Sequence, residues 1–478
     1  MLSLHAYNSH RVPQRLHVGG VHSVRQCHET HETASRRGPP TPAVSRWGLG
    51  MRKTTSVPLA FFAFLTAFTV ADSAWAVSCD ALPNAADPDA GTSPPVLYVE
   101  GSNALGPFLA PLQQALSVDA NPINVVYIGD GGCVGAGNFF TNSPISNTPA
   151  PIYYAAQIQL TCELPTTGGP NNGPPVADIG ASDVYAPTCG TLPGGQLPPN
   201  VADFLGPIQP MTFVVPKGSS QLSISAKGAY FVFGFGSDSG VAPWTVNASM
   251  YRRNASSAVQ ALLSTAIGVP LTAWAGVDAA TVPLNVASGV TGAAAVINAL
   301  ETDSNPEQAI GILADTNIDA TTASHINVLA YQDDGQSCGY YPDSTPTSHD
   351  KANVRDGHYA LWGPIHFFAY VDANGVPTNP NVERLISYMI GTSVAPGGVD
   401  LIQIEAQNNL VPPCAMLVAR TGEMGPLMSY APAASCGCYY DYEATGQSSC
   451  QECTQQSDCP ASAPFCNLSY SVGFCETQ

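Results

Sequence analysis

Asp183 follows a short apolar run in the stretch Ala177–Tyr185, ADIGASDVY. Val176, Ile179 and Ala181 read as the end of a buried strand. Gly180 and Ser182 let the backbone turn, which leaves Asp183 at the carboxyl end of a sheet, where open α/β sheets bind their ligands. A carboxylate placed there accepts a proton-bearing group, and the backbone N–H groups around it hold an anion. The same residues also fit a plain turn in which Asp183 caps its own backbone.

Two more stretches carry anion chemistry. The strand Pro95–Glu100, PVLYVE, runs into Gly101-Ser102-Asn103-Ala104. A helix follows, with Leu105, Phe108, Leu109, Leu112 and Leu116 on one face. Ser102 or Asn103 caps it, and Pro107 sits in its first turn. A strand, a small-residue turn and a helix make an anion cradle, because unpaired N–H groups and the helix dipole point outward together. The second cradle is Arg252-Arg253-Asn254-Ala255-Ser256-Ser257, directly before a helix carrying Ala258, Val259, Leu262, Leu263 and Ala266. Ser256 or Ser257 is its cap, and Gly268 with Pro270 stops it. Without a ligand, each stretch is simply a capped helix.

The charge balance gives the second cradle weight. The 478 residues hold 16 basic against 35 acidic side chains, which argues against nucleic acid or anionic membrane as partners. Eight cations and three acidic residues precede residue 77, so the remainder carries a net charge of −24. Two of its few cations stand together at a positive helix end.

The other elements must position these groups. Residues 1–50 lack periodicity and read as a disordered or misplaced upstream extension. Residues 51–78 form a secretory signal peptide: Arg52 and Lys53, the apolar run Val57–Ala71, then Ala74-Trp75-Ala76 as a cleavage site. Ala76-Val77-Ser78-Cys79 also reads as a weak lipobox, and lipidation of Cys79 would leave an even number of cysteines; plain cleavage with Cys79 paired or free is the alternative. Residues 79–93 are a linker. Asn124–Ile128 is a strand ending in Gly129-Asp130-Gly131-Gly132-Cys133. Ile208–Pro216 is a strand that crosses into a second domain, and Ile224–Phe233 is expected to continue it. Ala309–Leu313 and Ile326–Ala330 are buried strands. Ile365–Val371 returns the chain to the first domain, and Val382–Ile390 is a helix that covers it.

Thirteen cysteines follow the signal peptide, and a disulfide among Cys133, Cys162 and Cys189 is expected. Seven run from Cys436 to Cys475, with Cys414 as a candidate eighth. Cys450 and Cys453 have zinc-ligand spacing, but an exported cysteine-rich segment favours disulfides. His358 and His366, near Asp356, lack metal-ligand spacing and read as structural. No metal or cofactor is expected, and with no nucleophilic serine beside a histidine the chain reads as a non-enzyme.

From residue 94 to about 425 the chain resembles the phosphate-binding proteins of ABC phosphate transporters, members of the type II periplasmic binding protein family. ADIGASD carries the resemblance most specifically; VEGSNALGPFL, RRNASSAVQAL and QAIGIL carry it more loosely. The cysteine-rich tail is similar to short cysteine repeats of myxobacterial surface proteins. The resemblance implies a bilobed α/β fold with two crossovers. Residues 94–208 and 358–430 would form lobe I, residues 209–357 lobe II, and residues 431–478 a disulfide module. It implies that Ser102, Asn103 and the Ala104 amide are first-lobe donors to phosphate. Asp183 would accept the phosphate proton, Arg253 would grip two oxygens, and Ser257 with the Ala258 and Val259 amides would complete the second lobe. It further implies a monomer in the periplasm or at the cell surface, touching membrane only through a lipid anchor and serving an ABC permease.

The sequence departs from that pattern at two places. Ser257-Ala258-Val259 stands for Ser-Gly-Thr, and Gly132 stands where a serine is usual, with Asp130 close by. A charged Asp130 at 4 Å from an anion would cost about 4 kcal/mol at an effective dielectric near 20. Either Asp130 points away, or the ligand is not a simple phosphate. The alternative function is a surface-attached structural or adhesive protein on the same fold that has lost or changed its ligand.

Overall fold

The computed structural model describes residues 77–477 except 88 and 90; the upstream extension and the signal peptide through residue 76 lie outside the described residues. The first half of the body holds β1 (Val96–Gly101), α1 (Leu105–Ser117), β2 (Asn124–Ile128), α2 (Gly132–Thr141), the hairpin β3 (Ile152–Ala155) and β4 (Ile158–Thr161), β5 (Ile179–Ser182) and the long β6 (Val201–Pro216). Then follow α3 (Ala226–Phe235), β7 (Met250–Arg252), α4 (Ala258–Ile267), β8 (Val277–Asp278), α5 (Gly292–Thr302), β9 (Ile310–Ala314) and β10 (Ile326–Val328). The chain returns through β11 (Trp362–Tyr370), α6 (Pro380–Met389) and α7 (Leu401–Gln407), and closes with α8 (Gly437–Thr445) and three short strands, β12 (Glu452–Cys453), β13 (Phe465–Asn467) and β14 (Gly473–Glu476).

One sheet runs through both lobes in the order β4-β3-β2-β1-β5-β11-β6-β9-β7-β8, with β10 also paired to β6. β1 is parallel to β2 and β5, and β9 is parallel to β7. β6 and β11 are the antiparallel crossings. Residues 201–210 of β6 pair with β11 in lobe I, and its residues 211–216 pair with β9 and β10 in lobe II. The fold is therefore a bilobed α/β architecture followed by a disulfide-rich segment.

Burial on both faces explains the apolar runs of the central strands. In β1, Leu97 and Val99 pack with α1 and α6 on one face, while Tyr98 packs with Phe139 and Phe140 of α2 on the other. Lobe II repeats the arrangement, with α4 on one face and α5 on the opposite one. Residues Ile224–Phe233, expected to extend a strand, instead begin α3: the Ser225 hydroxyl accepts from the Gly228 N–H as an N-cap, and Ala226, Ala229, Val232 and Phe233 are buried at helical spacing.

Lipidation of Cys79 is overturned. Its sulfur forms a disulfide with Cys162, and a lipid thioether would need the same atom. Cys133 pairs with Cys189, so Cys162 is not part of that bridge. In the tail, Cys414–Cys436, Cys438–Cys450, Cys453–Cys466 and Cys459–Cys475 are bonded, and Cys338 is disulfide-bonded as well. Cys450 and Cys453 thus use on bridges the thiols that a metal would require. The tail is also docked on the body. Tyr440 of α8 is buried in the lobe II core and donates to the Leu410 carbonyl at 3.0 Å, and Asp441 pairs with Arg355.

Lys351 anchors the lobe II loops. Its ammonium is buried between Asp315 at 2.7 Å and Asp343 at 2.8 Å. Replacing it by Met would strand two buried carboxylates, and we expect Lys351→Met to lower unfolding free energy by about 3–5 kcal/mol in denaturant titrations.

Candidate anion site

The site lies where three helices begin. At the end of β1, Gly101 has φ +139°, and a Cβ there would come 1.9 Å from the Ala181 carbonyl oxygen. Only glycine lets β1 turn so close to β5. The turn aims Asn103 and Ala104 into the gap between the lobes. After β2, Gly131 (φ +117°) leads into Gly132, the first residue of α2. A Cβ on Gly132 would meet both the Asp183 amide nitrogen and the Ala258 Cβ at 3.0 Å, so glycine sets how closely the lobes approach. From lobe II, Ser257 caps α4 through its backbone conformation, and its hydroxyl makes no capping bond to that helix. The first amides of a helix have no partner within it.

Asn103, Ala104, Gly131, Gly132, Asp183, Arg253, Ser257, Ala258, Val259, Ala314 and Asn317 line one cavity of about 20 Å³. One water needs roughly 10–15 Å³ by the same measure, so the occupant is of ion size. Of the residues singled out from sequence, all line this cavity except Ser102. That side chain is fully buried behind it, and its hydroxyl donates to Asp183 while accepting from the Ala104 N–H at 3.2 Å. The Ser102 carbonyl accepts from the Tyr127 hydroxyl.

The electrostatics set a buried acid against a half-buried base. Burial pushes the Asp183 carboxyl up to about 6, opposed by the Ser102 hydroxyl, Arg253 and His366. Burial lowers the Arg253 guanidinium from its ordinary value, opposed by the charges of Asp183 and Asp278. Lys351, Arg355 and Arg384 are held in ion pairs and Arg420 lies 3.9 Å over the Trp362 ring. Among the described residues, no ion pair holds Arg253, which leaves its charge for the cavity.

Asp130 is not among the lining residues, and its Oδ1 is buried without a hydrogen-bond partner. His366 is a buried side chain whose Nδ1 bonds Asp203 at 2.8 Å and whose ring packs on Tyr185. Sequence reasoning missed Ala314 and Asn317. The usable signal was that Ala314 ends the buried strand Ile310–Ala314 at a sheet's carboxyl edge. It also missed Gly292 at the start of α5, where a Cβ would lie 3.6 Å from Asn103 Nδ2 and 3.7 Å from Arg253 Nη2. Only folding brings that glycine to the lobe boundary.

No family model and no curated protein matches the chain. Among solved structures it is similar to a protein described as a phosphate ABC transporter substrate-binding protein, with phosphate bound, from Clostridium perfringens (11% identity, TM-score 0.43, covering 66% of this chain and 99% of that one). It is similar to an ABC-type phosphate transport receptor from Vibrio cholerae (12% identity, TM-score 0.40, covering 66% and 100%). It is also similar to the sulfate-bound regulatory domain of OxyR2 from Vibrio vulnificus (8% identity, TM-score 0.33, covering 62% and 98%).

Proposed function

We propose that the chain is an exported solute-binding protein that closes two lobes on a small oxyanion, phosphate in preference to sulfate, and delivers it to an ABC permease. One observation carries this: Asp183 from lobe I and Arg253 from lobe II, which no ion pair holds among the described residues, line a single ion-sized cavity, which helix N-termini from both lobes also line. Arg253 supplies the compensating charge and a two-pronged donor. The Gly132, Ala258 and Val259 amides and the Ser257 hydroxyl supply neutral donors. Asp183 selects. Ionised above about pH 6, it accepts a hydrogen bond from a protonated phosphate oxygen, whereas sulfate has no proton to offer and meets an unshielded negative charge. Binding closes the lobes, and nothing in the mechanism calls for bond breaking. The bridges Cys79–Cys162 and Cys133–Cys189 suit a chain working outside the cytoplasm.

Three outcomes are expected. Arg253→Ala removes about 2–5 kcal/mol of phosphate affinity and with it the phosphate-dependent rise in melting temperature; unchanged binding by calorimetry would place the site elsewhere. The preference for phosphate over sulfate narrows as pH falls through about 6, because protonated Asp183 can then donate to sulfate, and Asp183→Asn shows little preference at any pH. Competition titrations at several pH values check this, and a preference that persists in Asp183→Asn would remove the carboxylate from its selecting role. Gly132→Ala weakens phosphate binding by about 1–3 kcal/mol through overpacking, and it lowers the melting temperature without phosphate as well, because the added Cβ also meets the Asp183 backbone within lobe I.

A further inference from the structure

Glu100 ends β1 one residue before the Gly101 end of that strand, and Asp130 stands between β2 and α2 directly before Gly131. Each therefore precedes a glycine turn that shapes the anion cavity. Glu100 is fully buried, and Asn138 of α2 donates to its Oε1 at 2.8 Å. Glu100 Oε2 and Asp130 Oδ1 are both buried with no hydrogen-bond partner, on neighbouring parallel strands in which Glu100 stands opposite Ile128, two residues before Asp130, and the Asp130 charge acts on Glu100. Ionised carboxylates only accept hydrogen bonds, so a bond between two of them needs a proton. The same two turns are also joined by the Gly131 N–H, which donates to the Gly101 carbonyl at 2.9 Å.

The surroundings favour keeping that proton. From α2 the facing group is the neutral Asn138; from β2 it is the Tyr127 phenol, on which the charges of both Asp130 and Asp183 act. No cation among the described residues acts on either carboxyl. Burial, with the nearby Asp130 charge adding to it, pushes the Glu100 carboxyl up to about 8.

We propose that Glu100 and Asp130 share one proton in a buried acid–carboxylate bond that holds the two glycine turns together, making them positioning residues for anion capture. The inference rests on the anion reading of the cavity. It answers the objection raised by Asp130's place in the sequence, because the carboxyl bonds its neighbour and the pair carries one negative charge in place of two. When the proton leaves, two like charges face each other across the turns, and the donors of α1 and α2 lose their alignment.

The test compares the wild-type chain with Glu100→Gln and Asp130→Asn, in which an amide preserves the bond without titrating. The first readout is unfolding free energy against pH with no anion present. The folded wild type keeps a proton that the unfolded chain releases, so its stability falls relative to Glu100→Gln as pH rises from about 4.5 to about 8. The second is calorimetric titration with inorganic phosphate. Comparing proteins at the same pH cancels phosphate's own ionisation, and wild-type affinity relative to Glu100→Gln should fall by up to about tenfold per pH unit above pH 8. Equal pH slopes in both proteins would overturn the shared proton, and pH-independent affinity ratios would overturn its positioning role. Should Glu100→Gln fail to fold, Asp130→Asn makes the same comparison. Wild-type protein that binds no phosphate at any pH sinks the anion reading instead, and the stability slopes still decide whether the proton is shared.

Discussion

A buried carboxylate and a half-buried guanidinium from different lobes, both lining one ion-sized cavity, form the constraint on which the site depends. Taking such charges out of water is costly, and the cost is tolerated only where hydrogen bonds and opposite charge offset it. Asp183 obtains that compensation from Ser102 and, across the gap, from Arg253. Among the described residues no carboxylate lies at ion-pair distance from Arg253, and under the proposed function an anion in the cavity would complete its coordination.

The sheet explains how residues so far apart in the chain meet. β6 belongs to both lobes, and β11 returns beside its first half. Because parallel strands within each lobe end on the side facing the gap, the turns after β1, β2, β5, β7 and β9 converge there. Two of these turns meet a steric limit set by a partner element: Ala181 against Gly101, and Asp183 with Ala258 against Gly132. Glycines at these points permit a close approach that any side chain would block.

The tail adds a second layer of connection. α8 buries Tyr440 in the lobe II core and ties Asp441 to Arg355, while α7 packs partly against the lobe I core. Four disulfides hold the segment from Cys414 to Cys475, which has little apolar area of its own beyond the docked helix. A segment that reads from composition as an appended module is joined to the body through its first helix.

Much of this was legible in one dimension. Apolar strands ending in small residues, followed by capped helices, locate anion cradles without any coordinates, because strand period, helix period and cap chemistry are local properties. The scarcity of cations pointed to Arg253 for the same reason. At Ile224–Phe233 that local reading failed, where a mixed apolar run suited strand and helix alike until Ser225 capped it. The sequence alone determined the α/β character, the cradles and the residues able to meet an anion. Tertiary structure alone decided that Asp130 stays out of the cavity lining, that Ser102 supports Asp183 from behind, that Cys79 pairs with Cys162, and that Ala314 and Asn317 line the cavity. Those outcomes depend on which side chains arrive together in space, and contacts between distant segments leave no periodic trace along the chain.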